Sequence, residues 1–418
     1  MAERMSTRMA AQDDDIGVPL EDASPEDVGL APDRLDHLRA MFQREIDAKR
    51  MPGCVIGIAR GGGLAWLEAL GARDPKSGAE MTTDAVFSVA SMTKLMTSVT
   101  IMQLFEEGRL LLGDPVEAYL PQLANLKVAE FAGDGSLMLR PARRQPTVQD
   151  LLRHTSGFTY QNRGTTAAHA RYPGSSMSSS EALKKGEFLE TLSECPLLFD
   201  PGSKWEYGFS TDVLGHIVEA VTGKTLGEAM AERLWGPLGM GDTAFELDQN
   251  SAKRYALAFE RDPATGEPQS IAHARGGKRH WESGGGGTVS TANDYLRFLH
   301  MMLSLGTYDN VRILGRKTVE FMTADHLAPQ IENRIADTMD AAAEGYGFGL
   351  GVAVRREDGI SAMAGSAGDY YWSGVYGTYF WVDPLEELTV VLMAATPGPY
   401  RLRMRQLIRA GVYQAIAD

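Results

Sequence analysis

Cysteine is scarce in this chain of 418 residues, with only Cys54 and Cys195 present. Two thiols in so long a chain do not make a disulfide framework, and the pair reads as two buried free thiols. The eight histidines are scattered and form no Cys/His cluster with metal-ligand spacing, so no structural zinc is expected. Positive charge is in deficit, and the net charge is −14. A surface of that sign repels phosphate backbones and anionic lipid, so neither nucleic acid nor membrane is expected as a partner. No apolar run is long enough to span a bilayer, and the N-terminal MAERMSTRMAAQDDDIG has no continuous apolar stretch like that of a secretory signal. The expected location is the cytoplasm.

Two chemical signatures are also missing. No G-x-S-x-G occurs, which argues against the nucleophile elbow of α/β-hydrolases. The Gly284–Gly287 run lacks the lysine and the Ser/Thr of a phosphate-binding loop and reads as a tight turn.

What is present has an order. Residues 1–30 are polar and read as an N-terminal arm. Pro32 then opens a helix with Leu35, Leu38, Phe42 and Ile46 at helical spacing. Cys54 to Ala59 and Leu64 to Leu70, around a triple glycine, predict a β-hairpin. Near the other end, Phe348 to Val354, Val375 to Val382 and Leu388 to Ala395 read as strands, and a helix follows from Tyr400. The stretch between is mostly helix and loop, with irregular segments at 125–146 and at 160–182, the latter including the serine-rich Ser175–Ser180. These patterns predict an α/β (α+β) fold in which both chain ends build one antiparallel sheet flanked by helices. The expected division is a catalytic domain over 31–418, with an α/β part at 31–110 and 290–418 and a mainly helical part at 111–289. A site would lie in the cleft between the parts.

Three motifs carry chemistry. Ser91 and Lys94 are three apart at the start of an apolar, helix-forming run, so they share a face. A serine hydroxyl attacks a carbonyl only when a base takes its proton, and a lysine amine serves while neutral, a form that burial favours. Tyr207 lies in a loop after Pro201–Gly202 and feeds a helix from about Ser210; its phenol is suited to relay a proton. Trp372, Ser373 and Gly374 lead into the predicted strand at 375–382. The N–H of Val375 there would pair with that of Ser91 as an oxyanion hole. His154 and Ser156 are too close in sequence for a catalytic serine–histidine pair.

Together these residues resemble the serine β-lactamase and penicillin-binding superfamily, above all the branch with class C β-lactamases and family VIII carboxylesterases. The resemblance runs through VASMTK (89–94), LLRHTSGF (151–158), FDPGSKWEYGFSTDVLG (199–215), LWGPLGMGDTAF (234–245), SGGGGTVSTANDYLRF (283–298) and YGFGLG (346–351). It implies the β-lactamase/transpeptidase-like fold, acylation of Ser91, a proton relay of Lys94 and Tyr207, an oxyanion hole of the Ser91 and Val375 amides, and no cofactor or metal. Two departures matter. Where β-lactamases carry K-T-G, this chain has Trp372-Ser373-Gly374, and where class C enzymes carry Y-x-N, position 209 is Phe. An indole replaces the cation that meets an anionic substrate, and the amide that meets a substrate amide is lost. Trp372, Ser373, Gly374 and Phe209 are therefore expected to line a site for small neutral esters, with short acyl chains as the expectation from the resemblance. Alternatives on the same site are a β-lactamase, a D-amino-acid peptidase or amide hydrolase, and an acyltransferase; a non-catalytic binding protein is disfavoured by the intact Ser91, Lys94 and Tyr207.

Overall fold

The computed structural model describes residues 20–269 and 279–417. Helix α1 (Pro32–Asp47) begins with proline in its first turn, where the missing N–H costs nothing, and buries Leu35, Leu38 and Phe42. The predicted hairpin follows as β1 (Gly53–Arg60) and β2 (Gly63–Asp74). Helix α2 (Thr93–Glu106) follows the one-turn helix Ala90–Met92. Helix α3 (Ser210–Thr222) starts just beyond Tyr207, and α4 is Ala292–Leu303. The chain closes with β3 (Tyr346–Phe348), β4 (Ala353–Arg355), β5 (Tyr370–Ser373), β6 (Tyr379–Asp383), β7 (Leu388–Ala394) and α5 (Tyr400–Tyr413).

These strands form one sheet in the order β2-β1-β7-β6-β5-β4-β3, with every neighbouring pair antiparallel. The seam between the chain ends is β1 against β7, with Val390 opposite Ile58. Every residue of β1 and of β7 is buried. Successive side chains point to opposite faces, so the centre of the sheet is covered on both sides. Leu296 of α4 packs against Gly57 of β1, and Leu38 of α1 fits over Gly411 of α5. The mixed architecture with an antiparallel sheet from both ends is the one expected. No helix among the described residues is long and apolar enough to cross a membrane. Cys54 and Cys195 are free and buried, and burial pushes the Cys195 thiol up to about 12.

Four expectations need correction. Phe348 to Val354 is not one strand: Gly351, at φ +105°, turns the chain between β3 and β4. The predicted strand at 375–382 starts only at Tyr379. Gly374 to Thr378 is a tight turn, closed by the Gly374 amide on the Thr378 carbonyl at 2.8 Å, with Gly377 at φ +111°. The stretch at 125–146 contains a hairpin, Lys127–Phe131 with Leu137–Pro141. It leaves Phe131, Met138 and Leu139 exposed, so its hydrophobic alternation does not mark a buried face. The serine-rich stretch is not irregular: Ser176–Ala182 is helical, with Ser176, Ser179 and Ser180 buried. Residues 20–30 of the expected arm lie against the body, with Glu21–Asp22 paired to β2 and Leu30 buried; residues 1–19 lie outside the described residues.

Candidate active site

Helix α2 is buried nearly all round, from Thr93 through Met102 and again at Leu104. Its polar side chains are satisfied locally: Thr97 donates to the Gly284 carbonyl at 2.8 Å, and Thr93 bonds Thr288 at 2.7 Å. These bonds tie the helix start to the segment 284–288, which contains the glycine turn. Ahead of it, Ala90 sits at φ +46°. That backbone region costs a non-glycine residue on the order of 1–3 kcal/mol, strain that the surrounding bonds must hold. Thr93 does so by donating to the Ala90 carbonyl at 2.6 Å.

Ser91 is half-buried, and Lys94 is 1% exposed. One helical turn puts the Lys94 Nζ 3.3 Å from the Ser91 Oγ. The amine also donates to the Gly285 carbonyl, lies 3.5 Å from the Tyr160 hydroxyl, and sits 4.6 Å from the centre of the Tyr207 ring. Tyr207 donates from its hydroxyl to the Ser91 Oγ at 2.6 Å. A serine hydroxyl, an amine and a phenol, spread over 116 residues of sequence, thus meet within hydrogen-bond reach.

The third motif reaches the same place from the sheet. Trp372 and Ser373 end β5, and Trp372 packs its ring 5.5 Å from Tyr207 and 5.3 Å from Phe348. The turn after it leans on the residues before Ser91, since Thr378 donates to the Val89 carbonyl at 3.2 Å. A Cβ at Gly374 would lie 2.5 Å from that carbonyl, so only glycine fits. Val375 occupies the turn rather than a strand and is 48% exposed. Buried Arg405 of α5 donates to the Gly374 carbonyl at 3.1 Å, which anchors the peptide unit carrying the Val375 amide.

Phe209 departs from its expected place. It is wholly buried, edge-on to Tyr160 at 4.7 Å and packed on Tyr172 and Phe188. It supports the back of the site instead of lining a substrate cleft, because the chain turns it inward just before α3 begins.

Four residues were missed by sequence reasoning: Tyr160, Ser176, Asp212 and Gly285. Tyr160 is 2.6 Å from Ser176, and Ser176 donates to Asp212 at 2.6 Å. Burial, then the Asp212 charge, push the Tyr160 phenol well above its usual range, so it stays protonated. The only signals were Tyr160 two residues beyond LLRHTSGF and Asp212 inside the tyrosine segment.

His154 and Ser156 are not paired: Ser156 bonds Ser210 at 2.9 Å. The His154 ring packs on Tyr207 at 4.9 Å and Phe348 at 5.5 Å, with neither nitrogen hydrogen-bonded among the described residues. Burial, then the nearby Lys94 and Arg163, hold its imidazole well below the usual range. The unfolded chain takes up that proton near pH 6.5 while the folded one does not, so folding stability falls as pH drops below that value. The contribution is up to about 1.4 kcal/mol per pH unit. His154→Asn, which tolerates the positive φ of this position, is expected to flatten the dependence of urea-unfolding free energy on pH between 6.5 and 5. An unchanged slope in the variant would count against a buried neutral imidazole.

An antiparallel sheet built from both chain ends, a buried helix carrying Ser-x-x-Lys, and a tyrosine closing on the serine define a β-lactamase-fold serine hydrolase. The chain belongs to the Beta-lactamase family, whose pattern matches residues 38–413. Protein Rv1367c of Mycobacterium tuberculosis (strain ATCC 25618 / H37Rv) is 32% identical over 372 residues, covering 86% of this chain and 89% of that protein. Esterase EstB of Burkholderia gladioli is 28% identical over 400 residues, covering 89% and 94%. Among solved structures, "EstCE1, a hydrolase with promiscuous acyltransferase activity" superposes with a TM-score of 0.74 at 26% identity, over 91% of this chain and 99% of that one.

Proposed function

We propose that this protein is a carboxylesterase that cleaves small neutral esters, with short acyl groups, through an acyl-enzyme on Ser91. The Ser91 proton passes to the neutral amine of Lys94 as the oxygen bonds the ester carbonyl carbon. The amides of Ser91 and Val375 hold the oxyanion. The carbon–oxygen bond to the alcohol then breaks, and the alkoxide takes a proton from the relay through Tyr207. Water, deprotonated by the same relay, releases the acid. This chemistry asks for no metal or cofactor.

The observation that carries the choice of esters is Trp372. Its buried indole packs on Tyr207, at the position where the resemblance expects a lysine to receive a substrate carboxylate. An indole repels no neutral ester and offers an anionic lactam no charge partner. The likeness to EstB supports the same reading. A second reading is acyl transfer to an alcohol in place of water, supported by the likeness to EstCE1, a hydrolase with promiscuous acyltransferase activity.

A panel of p-nitrophenyl acetate, butyrate and octanoate beside a chromogenic cephalosporin tests the proposal. The expected result is turnover of the short esters with kcat/KM at least about 100-fold above that for the cephalosporin, the scale of one lost charge-assisted contact. Preference for the cephalosporin would overturn it. Adding an acceptor alcohol and measuring the new ester reads out transfer.

A further inference from the structure

Asp212 is a carboxylate buried to 1% exposure at the third position of α3. Among the described residues it makes no hydrogen bond to Ser91, Lys94 or Tyr207, yet its own bonds lead back to Lys94 by two routes. Its Oδ2 accepts from Ser176 at 2.6 Å, Ser176 is 2.6 Å from the Tyr160 hydroxyl, and that hydroxyl is 3.5 Å from the Lys94 Nζ. Its Oδ1 accepts from Ser283 at 2.5 Å and from the Gly285 amide at 3.1 Å, and the Gly285 carbonyl is the other acceptor for Lys94. The packing is tight: a Cβ at Gly285 would lie 2.5 Å from Asp212 and 2.7 Å from Ser176.

The chemistry of Lys94 restricts how the protons in this network point. A neutral amine has two N–H bonds and one lone pair, and the lone pair must face Ser91 for the amine to act as base. Both N–H bonds must then be spent elsewhere. One goes to the Gly285 carbonyl, which only accepts. The other must go to Tyr160, whose hydroxyl either donates or accepts. If Tyr160 accepts from Lys94, it must donate to Ser176, and Ser176 must donate onward. A carboxylate at the end of the chain accepts and does not donate, so it permits only this direction.

We infer that Asp212 is a positioning residue that sets the direction of the Tyr160–Ser176 hydrogen-bond chain and so keeps the lone pair of Lys94 on Ser91. The inference rests on the proposed reaction at Ser91. An asparagine at 212 has almost the same shape but carries an NH2 group. When that group faces Ser176, the chain reverses and the Tyr160 O–H points at the lone pair that Ser91 needs.

The test uses the full chain and p-nitrophenyl butyrate. Asp212→Asn is expected to lower kcat about 30-fold with KM changed less than about 3-fold, a fraction of a full general-base contribution. Tyr160→Phe should lower kcat about 10-fold, and the double variant should fall no further than the weaker single variant, since the two act through one chain. Effects on kcat that multiply, or a change confined to KM, would overturn the inference and leave Asp212 a packing residue. If Asp212→Asn fails to fold, Ser176→Ala carries the test: it cuts the chain and should cost about 10-fold in kcat, with Ser176→Thr restoring most of it. Full kcat in Ser176→Ala sinks the idea. Ser91→Ala in the same assay separates the two claims. If it stays active, the reaction itself is misassigned. If it is dead while Asp212→Asn is fully active, only the role of Asp212 is wrong.

Discussion

Ser91→Ala is expected to lower kcat/KM for short p-nitrophenyl esters by at least about 10⁴-fold, the scale on which serine hydrolases lose rate with their nucleophile. The alanine side chain removes one oxygen from a half-buried position, where it hydrogen-bonds Lys94 and Tyr207. Little packing is lost, so the thermal midpoint should move by no more than a few degrees. A phosphonate or slow ester should add one adduct mass to the wild-type protein and none to the variant, and peptide mapping should place the adduct on Ser91. Full esterase activity in Ser91→Ala would falsify the central assignment. Activity loss with the adduct still forming elsewhere would move the nucleophile without removing the acyl-enzyme.

Lys94→Met should come next in size, with kcat lowered by about 10³-fold, in the range of a lost general base. Methionine matches the length of the stem and removes an amine that is 1% exposed, so folding stability should hold or rise. Lys94→Arg sharpens the reading. It keeps a positive charge near Ser91, but a guanidinium does not give up its proton in a protein. If Lys94 acts as a base, Arg is as inactive as Met; if it serves only as a charge, Arg recovers activity. Tyr207→Phe removes the 2.6 Å bond to the Ser91 Oγ and leaves the ring packed against Trp372. A loss of about 100-fold fits a proton relay, and a silent variant takes the phenol out of it. A pre-steady-state burst should disappear in each variant if acylation becomes the slow step.

How much of this was legible in the residues differs from element to element. The helices from Pro32 and Tyr400 follow from local periodicity, because each buries one face, and the β1–β2 hairpin and β7 follow from apolar runs bounded by turn residues. Where the structure departs, a backbone constraint interrupts that periodicity. Gly351 and Gly377 carry positive φ values inside apolar runs that otherwise look like uninterrupted strands. The hairpin at 127–141 buries Val128 and Ala129 but shows Phe131, Met138 and Leu139 to solvent, so no alternating buried face announced it.

The candidate site divides in the same way. Ser91 and Lys94 are three residues apart, and one helical turn suffices to bring an amine to a hydroxyl. That relation was readable because helix geometry alone produces it. The identity of Trp372 was readable too, as a residue type in place of a lysine. Whether Phe209 faced a substrate or the core was not readable, and only packing against Tyr160, Tyr172 and Phe188 placed it inside. The chain from Lys94 through Tyr160 and Ser176 to Asp212 joins segments 66, 16 and 36 residues apart. No local spacing encodes such a contact. Each side chain is held by burial from a different element. The sequence by itself determined which serine, which amine one helical turn away and which indole the candidate site would hold. Tertiary structure alone decided which groups surround that amine, since these depend on distances between segments that meet only when the core closes.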